Sequence, residues 1–272
     1  MKKINVSGQI SQTINFAMQQ NYVPVIRNLI VTNEGACDLG SLRLRITCEP
    51  AFAKPYECLV SPLKVGEATE ITPVNLMVSP EYLMSLTERM LAILHIEVRE
   101  NNEEMTLLFT KDVNLQLLAY DEWSGLFIMP EMVAAFVTPN GQAVMEIVSA
   151  AGQFLMSWIG DPAFTGYQRQ NPHIVKMQMA AIYAALQSKN IAYCMPQASF
   201  ETVGQRIRLP ETVLEQRLGT CLDLSVLYAA CLEAVGLNPL LIFKDGHCFA
   251  GAWIDEKTFA DSVMDDVTSL NK

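Results

Sequence analysis

The feature that most constrains this chain is a change of hydrophobic period near residue 121. Before it, apolar residues recur at alternate positions. Ser41-Leu-Arg-Leu-Arg-Ile-Thr-Cys48 alternates strictly, which places one set of side chains on each face of a half-buried strand. Val23-Pro-Val-Ile-Arg-Asn-Leu-Ile-Val-Thr32 is β-branched and extended, and it runs into an Asn33-Glu34-Gly35 turn. Similar runs lie at 67–78, 90–98 and 105–118, parted by clusters such as Lys64-Val-Gly-Glu67 and Glu100-Asn-Asn-Glu103. Ser79 before Pro80 predicts one short helix over 80–88, with the serine as cap and the proline in the first helical position. About seven short strands in about 120 residues predict an antiparallel β-sandwich of immunoglobulin-like type.

After Asp121-Glu-Trp-Ser-Gly125 the period becomes helical. Val144, Ile147, Val148, Ala151, Phe154, Leu155 and Trp158 share one stripe, which Asp161-Pro162 ends. Asn171-Pro172 caps and opens a second helix through Met177, Met179, Ile182, Tyr183 and Leu186 to Ser188, and Pro210 starts a shorter one ending at Gly219. No internal repeat or low-complexity tract interrupts either half. Two domains are therefore expected, a sandwich over 1–120 and an α+β domain over 121–272.

Composition narrows the function. Half the residues are apolar and 18% are charged, enough to build a buried core. Nineteen basic against 29 acidic residues give a net charge of −10, which repels phosphate backbones and argues against direct nucleic-acid binding. Fourteen methionines and a mean hydropathy of +0.20 raise the question of a membrane. However, no window of about 20 residues is free of polar interruption, and Met1-Lys-Lys-Ile-Asn-Val-Ser7 leads into no apolar leader stretch. The seven cysteines (37, 48, 58, 194, 221, 231 and 248) are odd in number and form no C-x-x-C pair. That spacing predicts no metal site and no cofactor, and free thiols in a reducing cytoplasm. Most of them are expected to be small buried hydrophobes.

One cysteine is placed differently. In Leu218-Gly-Thr-Cys-Leu-Asp-Leu-Ser, Thr220 and Asp223 form a capping pattern, and Gly236 supplies a helix stop. Cys221 falls in the first turn, where unpaired N–H groups and the helix dipole favour a thiolate. Gly219 permits a close approach just ahead of it. Cys231, inside the same helix, has no such advantage, and the plain alternative for Cys221 is an inert buried thiol. Among the histidines, His95 lies in an apolar strand and His173 at a helix start, both structural places. His247 instead follows Pro239-Leu-Leu-Ile-Phe243 and a Lys244-Asp-Gly246 turn, and it opens the strand His247-Cys-Phe-Ala-Gly-Ala-Trp-Ile254. A turn at Asp255-Glu-Lys-Thr258 predicts a returning strand over 259–266. That strand would bring Asp265 or Asp266 opposite His247, and Asp261 part-way along, to orient the imidazole. Gln205 or Gln216 is a candidate amide donor to an oxyanion. Trp158, Tyr183, Tyr228 and the methionines from Met156 to Met179 are expected in the core.

The order of Cys at a helix start, then His, then Asp on successive strands resembles the transglutaminase-like branch of the papain-like cysteine enzymes. The resemblance is carried by Gly219-Thr-Cys-Leu-Asp, Ala234-Val-Gly-Leu-Asn-Pro and Gly246-His-Cys-Phe-Ala-Gly-Ala-Trp. It spans roughly residues 140–270 and implies a Cys helix packed on a small antiparallel sheet, with Cys221 as nucleophile and His247 as base. Gly166-Tyr-Gln, Ile182-Tyr-Ala-Ala-Leu-Gln, Ile191-Ala-Tyr, Arg208-Leu-Pro and Leu214-Glu-Gln-Arg-Leu-Gly-Thr-Cys look similar to the N-terminal region of large bacterial superfamily 1 DNA helicase-related proteins. There, a strand-rich accessory domain and a transglutaminase-like domain precede the motor. The resemblance implies continuation into a helicase motor in a longer protein, because no G-x-x-x-x-G-K-[ST] phosphate loop occurs here. The expected activity is thiol acyl transfer on a protein or peptide, as peptidase, amidase or acyl transferase. The alternative is a non-catalytic interaction or scaffold module with an idle Cys-His-Asp site.

Overall fold

Leu42, Leu44 and Ile46 are fully buried while Arg43 and Arg45 between them are not, so the alternation in this segment does produce a strand with one covered face. The computed structural model describes residues 1–195, 199, 202–266 and 268. It divides into two compact units, Met1–Tyr120 and Asp121–Lys272.

The first unit contains β1 (Ile4–Ile10), β2 (Thr13–Ile14), α1 (Phe16–Gln20), β3 (Ile26–Asn33), β4 (Leu42–Glu49) and β5 (Tyr56–Val60). It continues with β6 (Ala68–Ile71), α2 (Pro80–Ser85), β7 (Met90–Glu100) and β8 (Leu107–Leu117). They form a three-stranded sheet of order β1-β3-β6 and a five-stranded sheet of order β2-β8-β7-β4-β5. All pairings are antiparallel except the short β2 beside β8. Each sheet buries one face, through Ile4, Val6, Leu29 and Val31 in the first and Leu94, Ile96, Val98, Leu115 and Leu117 in the second. Ser79 caps α2 by accepting from the Tyr82 N–H at 3.1 Å, with Pro80 in the first turn. The run expected as a strand over 67–78 is a strand only to Ile71, since Pro73 brings no N–H to a ladder, and pairs again at a single bridge, Val78 opposite Ala53.

His95 sits mid-strand on β7, opposite Thr47 of β4 and Asp112 of β8. Its Nδ1 lies 2.7 Å from Asp112 Oδ1 and its Nε2 3.6 Å from Glu49 Oε2. The hydrogen bond to Asp112 holds the imidazole above its ordinary pKa. A raised folded-state pKa adds stability that is fully present below the unfolded value of about 6.5 and is lost as pH rises through the folded value. His95→Gln is therefore expected to lower the urea midpoint at about pH 5.5 and to leave it unchanged at about pH 8.5. Equal effects at both would mean that the pair contributes nothing.

The second unit contains β9 (Glu122–Trp123), a 3₁₀ turn over Pro130–Phe136, α3 (Gln142–Ile159), α4 (Pro172–Ser188), β10 (Ala192–Tyr193) and β11 (Gln205–Arg206). Then follow α5 (Pro210–Gln216), β12 (Leu218–Gly219), α6 (Cys221–Ala234), β13 (Pro239–Lys244) and β14 (His247–Ala252). Helix α6 is apolar on every side, and accordingly Leu222, Val226, Leu227, Ala229, Ala230, Cys231 and Leu232 are all buried. It packs among Val144, Ile147 and Leu155 of α3, Val175, Ile182 and Ala185 of α4, and Val213 of α5. The hairpin β13–β14 lies against the same helix. Trp158 and Tyr183, expected in the core, are 43% and 56% exposed, and Met156 is exposed as well.

Candidate functional site

The start of α6 is built by a buried carboxylate. Thr220 accepts from the Asp223 N–H at 3.2 Å, and Asp223 Oδ2 accepts from the Thr220 N–H at 2.9 Å, a reciprocal capping box. Asp223 also accepts from the Arg208 N–H at 2.8 Å and from Arg208 Nη1 at 3.0 Å. It is fully buried, whereas the Arg208 side chain is one-third exposed. The Gly219-Thr-Cys-Leu-Asp segment is thus tied to Arg208-Leu-Pro, so the helix start that carries Cys221 cannot fray freely. A Cβ on Gly219 would lie 3.1 Å from Leu224 Cδ2, tighter than an ordinary contact, so glycine lets the entering chain close onto the first turn.

Tyr193 is brought to this point by two-residue strands. Tyr193 of β10 stands beside Gly219 of β12 in a parallel pairing, and Cys194 N–H donates to the Gly219 carbonyl at 2.8 Å. Tyr193 and Cys221 line one cleft. Desolvation, then the charge and hydrogen bonding of the Cys221 sulfur, raise the Tyr193 phenol above its usual range. Sequence reasoning did not single out Tyr193 as a site residue, because nothing local marks a two-residue parallel pairing.

His247 enters from the other side. A two-residue turn, Asp245-Gly246, closes the β13–β14 hairpin, with Gly246 at φ 66° where an L side chain is strained. The pair Lys244↔His247 follows it directly. The imidazole is exposed and stacks on Phe249 two residues on, with centroids 6.4 Å apart at 27°. Cys221 and His247 line the same cleft, of about 630 Å³. Tyr183, Leu186 and Gln187 of α4 complete it, with Asn190, Ile191, Tyr193, Leu224, Ser225, Tyr228 and the β14 residues Cys248, Phe249 and Ala250. Ser225 Oγ lies 2.7 Å from the Cys221 carbonyl and 3.2 Å from that of Cys248, which ties the first turns of α6 to β14. Tyr228 donates to the Met179 carbonyl at 3.0 Å, and burial, then Cys231 and Tyr183, push its phenol up to about 12.

The expected acid is not delivered. No strand forms over 259–266 among the described residues, and the hairpin keeps two strands. Asn238 explains the departure. Its carbonyl takes the Trp253 N–H at 3.2 Å and its side-chain amide donates to the Lys257 carbonyl at 2.8 Å. Trp253 packs edge-on against Phe259 at 5.2 Å. The chain therefore turns at the far end of the hairpin rather than running back along β14. Asp261, Asp265 and Asp266 are exposed, and Asp266 accepts from the backbone N–H and hydroxyl of Thr268, which holds its carboxyl below the usual range. None of the three lines the cleft. Among the described residues His247 makes no hydrogen bond or ion pair with a carboxylate. The proposed oxyanion donors also lie elsewhere. Gln205 pairs with Trp123 in β11–β9 and accepts from the Ser199 N–H at 3.3 Å, while Gln216 ends α5. The amides that do line the cleft are Gln187 and Asn190.

Among the described residues, no three His, Cys, Asp or Glu side chains converge as a metal site, and no helix is long and apolar enough to cross a membrane.

No family profile matches the chain, and no curated protein does. Among solved structures, a β-glucuronidase of Bacteroides uniformis is similar at 16% identity and a TM-score of 0.25, over 44% of this chain and 13% of that one. Bacteroides uniformis β-glucuronidase 2, covalently bound to cyclophellitol-6-carboxylate aziridine, is similar at 17% identity and 0.23 over the same shares. A family 76 glycoside hydrolase from a bovine Bacteroides thetaiotaomicron strain is similar at 8% identity and 0.20, over 77% of this chain and 47% of that one. The chain spans less than half the length of each, and TM-scores this low carry no argument about fold or reaction.

Proposed function

We propose that the second unit is a transglutaminase-like thiol acyl-transfer domain, acting as a peptidase, amidase or acyl transferase on a protein or peptide. The observation that carries this reading is the meeting, in one cleft, of a thiol on the capped first turn of α6 and an imidazole at the start of β14. In the proposed reaction His247 takes the thiol proton and the Cys221 thiolate attacks an acyl carbonyl. The C–S bond forms, the bond to the leaving group breaks, and the imidazolium returns its proton to the departing amine. Water or an amine then takes the acyl group from sulfur. The first unit fits an immunoglobulin-like sandwich. Its order, β1-β3-β6 against β5-β4-β7-β8-β2, places chain neighbours β3 and β4, and again β6 and β7, in different sheets, as Greek-key connections do.

The absence of a carboxylate at His247 among the described residues favours a second reading. An imidazole without an orienting acid is a weaker base, and the site would then be an idle remnant in an interaction or scaffold module of a larger helicase-related protein.

p-Nitrophenyl acetate separates the two. Attack by the thiolate forms the thioester and expels p-nitrophenolate, so a burst stoichiometric with protein is expected, together with an acetyl adduct on the peptide containing Cys221. Cys221→Ala is expected to abolish both. Release at the same rate from Cys221→Ala would leave the module reading.

A further inference from the structure

Among the described residues, the cleft is lined by Tyr183, Leu186, Ile191, Tyr193 and Phe249 and two uncharged amides, with no Asp, Glu, Lys or Arg, although the chain has 48 such residues. A charged group entering it would lose hydration and, apart from His247 when protonated, meet no opposite charge among the described residues. One wall is the strand β14, from which four consecutive residues, His247 to Ala250, line the cleft. Residues on both faces of one strand can share a cleft only if it runs along the strand's edge.

That edge is open. The two-residue turn makes Lys244 and His247 the hydrogen-bonded closing pair, so Phe249 and Gly251 are the next β14 residues bonded to β13. The N–H and C=O groups of Cys248 and Ala250 consequently point away from β13. The Cys248 carbonyl meets the Ser225 hydroxyl at 3.2 Å, whereas the Ala250 N–H and C=O have no partner among the described residues. Among the described residues no third strand pairs with β14, and the segment after it is drawn off by Asn238.

We infer that the cleft holds an extended, uncharged peptide segment, paired through its own backbone to the free edge of β14 at Ala250 and carrying an aromatic or large aliphatic side chain among Tyr183, Leu186, Tyr193 and Phe249. An extended peptide supplies the alternating donors and acceptors that such an edge lacks. The aromatic walls offer its side chain a dry contact, and Gln187 and Asn190 serve remaining polar groups of the peptide. The inference names the substrate class for the acyl-transfer reading and rests on it for the reaction, but binding itself needs no reactive thiol.

The test uses the full chain with Cys221→Ala and fluorescein-labelled seven-residue peptides followed by anisotropy. The central residue is Phe, Leu, Glu or Lys in an otherwise alanine and serine sequence. The Phe and Leu peptides are expected to bind about tenfold or more tightly than the Glu and Lys peptides. Two further Phe peptides carry N-methyl groups on alternate amides, one in each register. The set whose amides face β14 is expected to lose about tenfold, while the other is unaffected. Ala250→Pro, which removes the edge N–H, is expected to reproduce that loss with an unchanged circular dichroism spectrum. Equal affinity for all four central residues, or no effect of N-methylation in either register, would overturn the inference. Selective binding alongside a failed p-nitrophenyl acetate burst would retain this binding mode and remove the acyl transfer.

Discussion

Iodoacetamide at about neutral pH is expected to alkylate Cys221 before any other of the seven thiols, about tenfold or more faster than the exposed Cys37. The physical basis is unequal access to the thiolate. Burial pushes the Cys231 and Cys248 thiols up to about 12 and the Cys48 thiol up to about 11, and raises Cys58 too. A thiol at about 12 carries roughly a thousandfold less thiolate at neutral pH than one at about 8.5, before any steric hindrance counts. Cys37 is the informative comparison, being more exposed than Cys221 but lacking a helix start and a histidine in its cleft. His247→Ala is expected to slow labelling of Cys221 about tenfold and to leave Cys37 unchanged, so the second thiol serves as an internal control. Labelling of Cys221 and Cys37 at one rate, insensitive to His247, would remove the thiolate and with it the proposed reaction.

Asp223→Ala is expected to destabilise the second unit by about 3 kcal/mol. The buried carboxylate accepts from two backbone N–H groups and from Arg208, and alanine would leave those N–H groups without acceptors at the head of α6. Arg208 is partly exposed and turns to water, which keeps the loss at the lower end of the range for a broken buried pair. For a unit of this size the melting midpoint should fall by roughly 10 °C. Asp223→Asn keeps a side-chain oxygen and is expected to cost about 1 kcal/mol. A drop below 1 kcal/mol for Asp223→Ala would show that the cap is dispensable, and that packing alone positions Cys221.

What could be read from residues depended on how local the deciding energy is. Ser79-Pro80 and Thr220-x-x-Asp223 act between residues at most three apart, and both caps form as their spacing predicts. The Asp245-Gly246 turn likewise sets the β13–β14 register by itself. The strand over 259–266 failed because pairing along β14 competes with other partners. Asn238 and the Trp253–Phe259 contact outbid an acidic segment with little β propensity. Tyr183 was misplaced for a related reason. Helical spacing marks an apolar stripe, but the C-terminal end of α4 borders the cleft rather than the interior.

By itself, then, the sequence determined a strand-rich half, a helical half, a capped helix opening on Cys221 and a hairpin opening on His247. All of these follow from backbone preference, capping and period over a few residues. Only the tertiary structure decided that those two side chains share one cleft, uncharged among the described residues, that Tyr193 joins it, and that Asp261, Asp265 and Asp266 stay in solvent. These outcomes arise from burying α6 among α3, α4, α5 and the hairpin, a balance of long-range contacts that no short stretch of residues encodes.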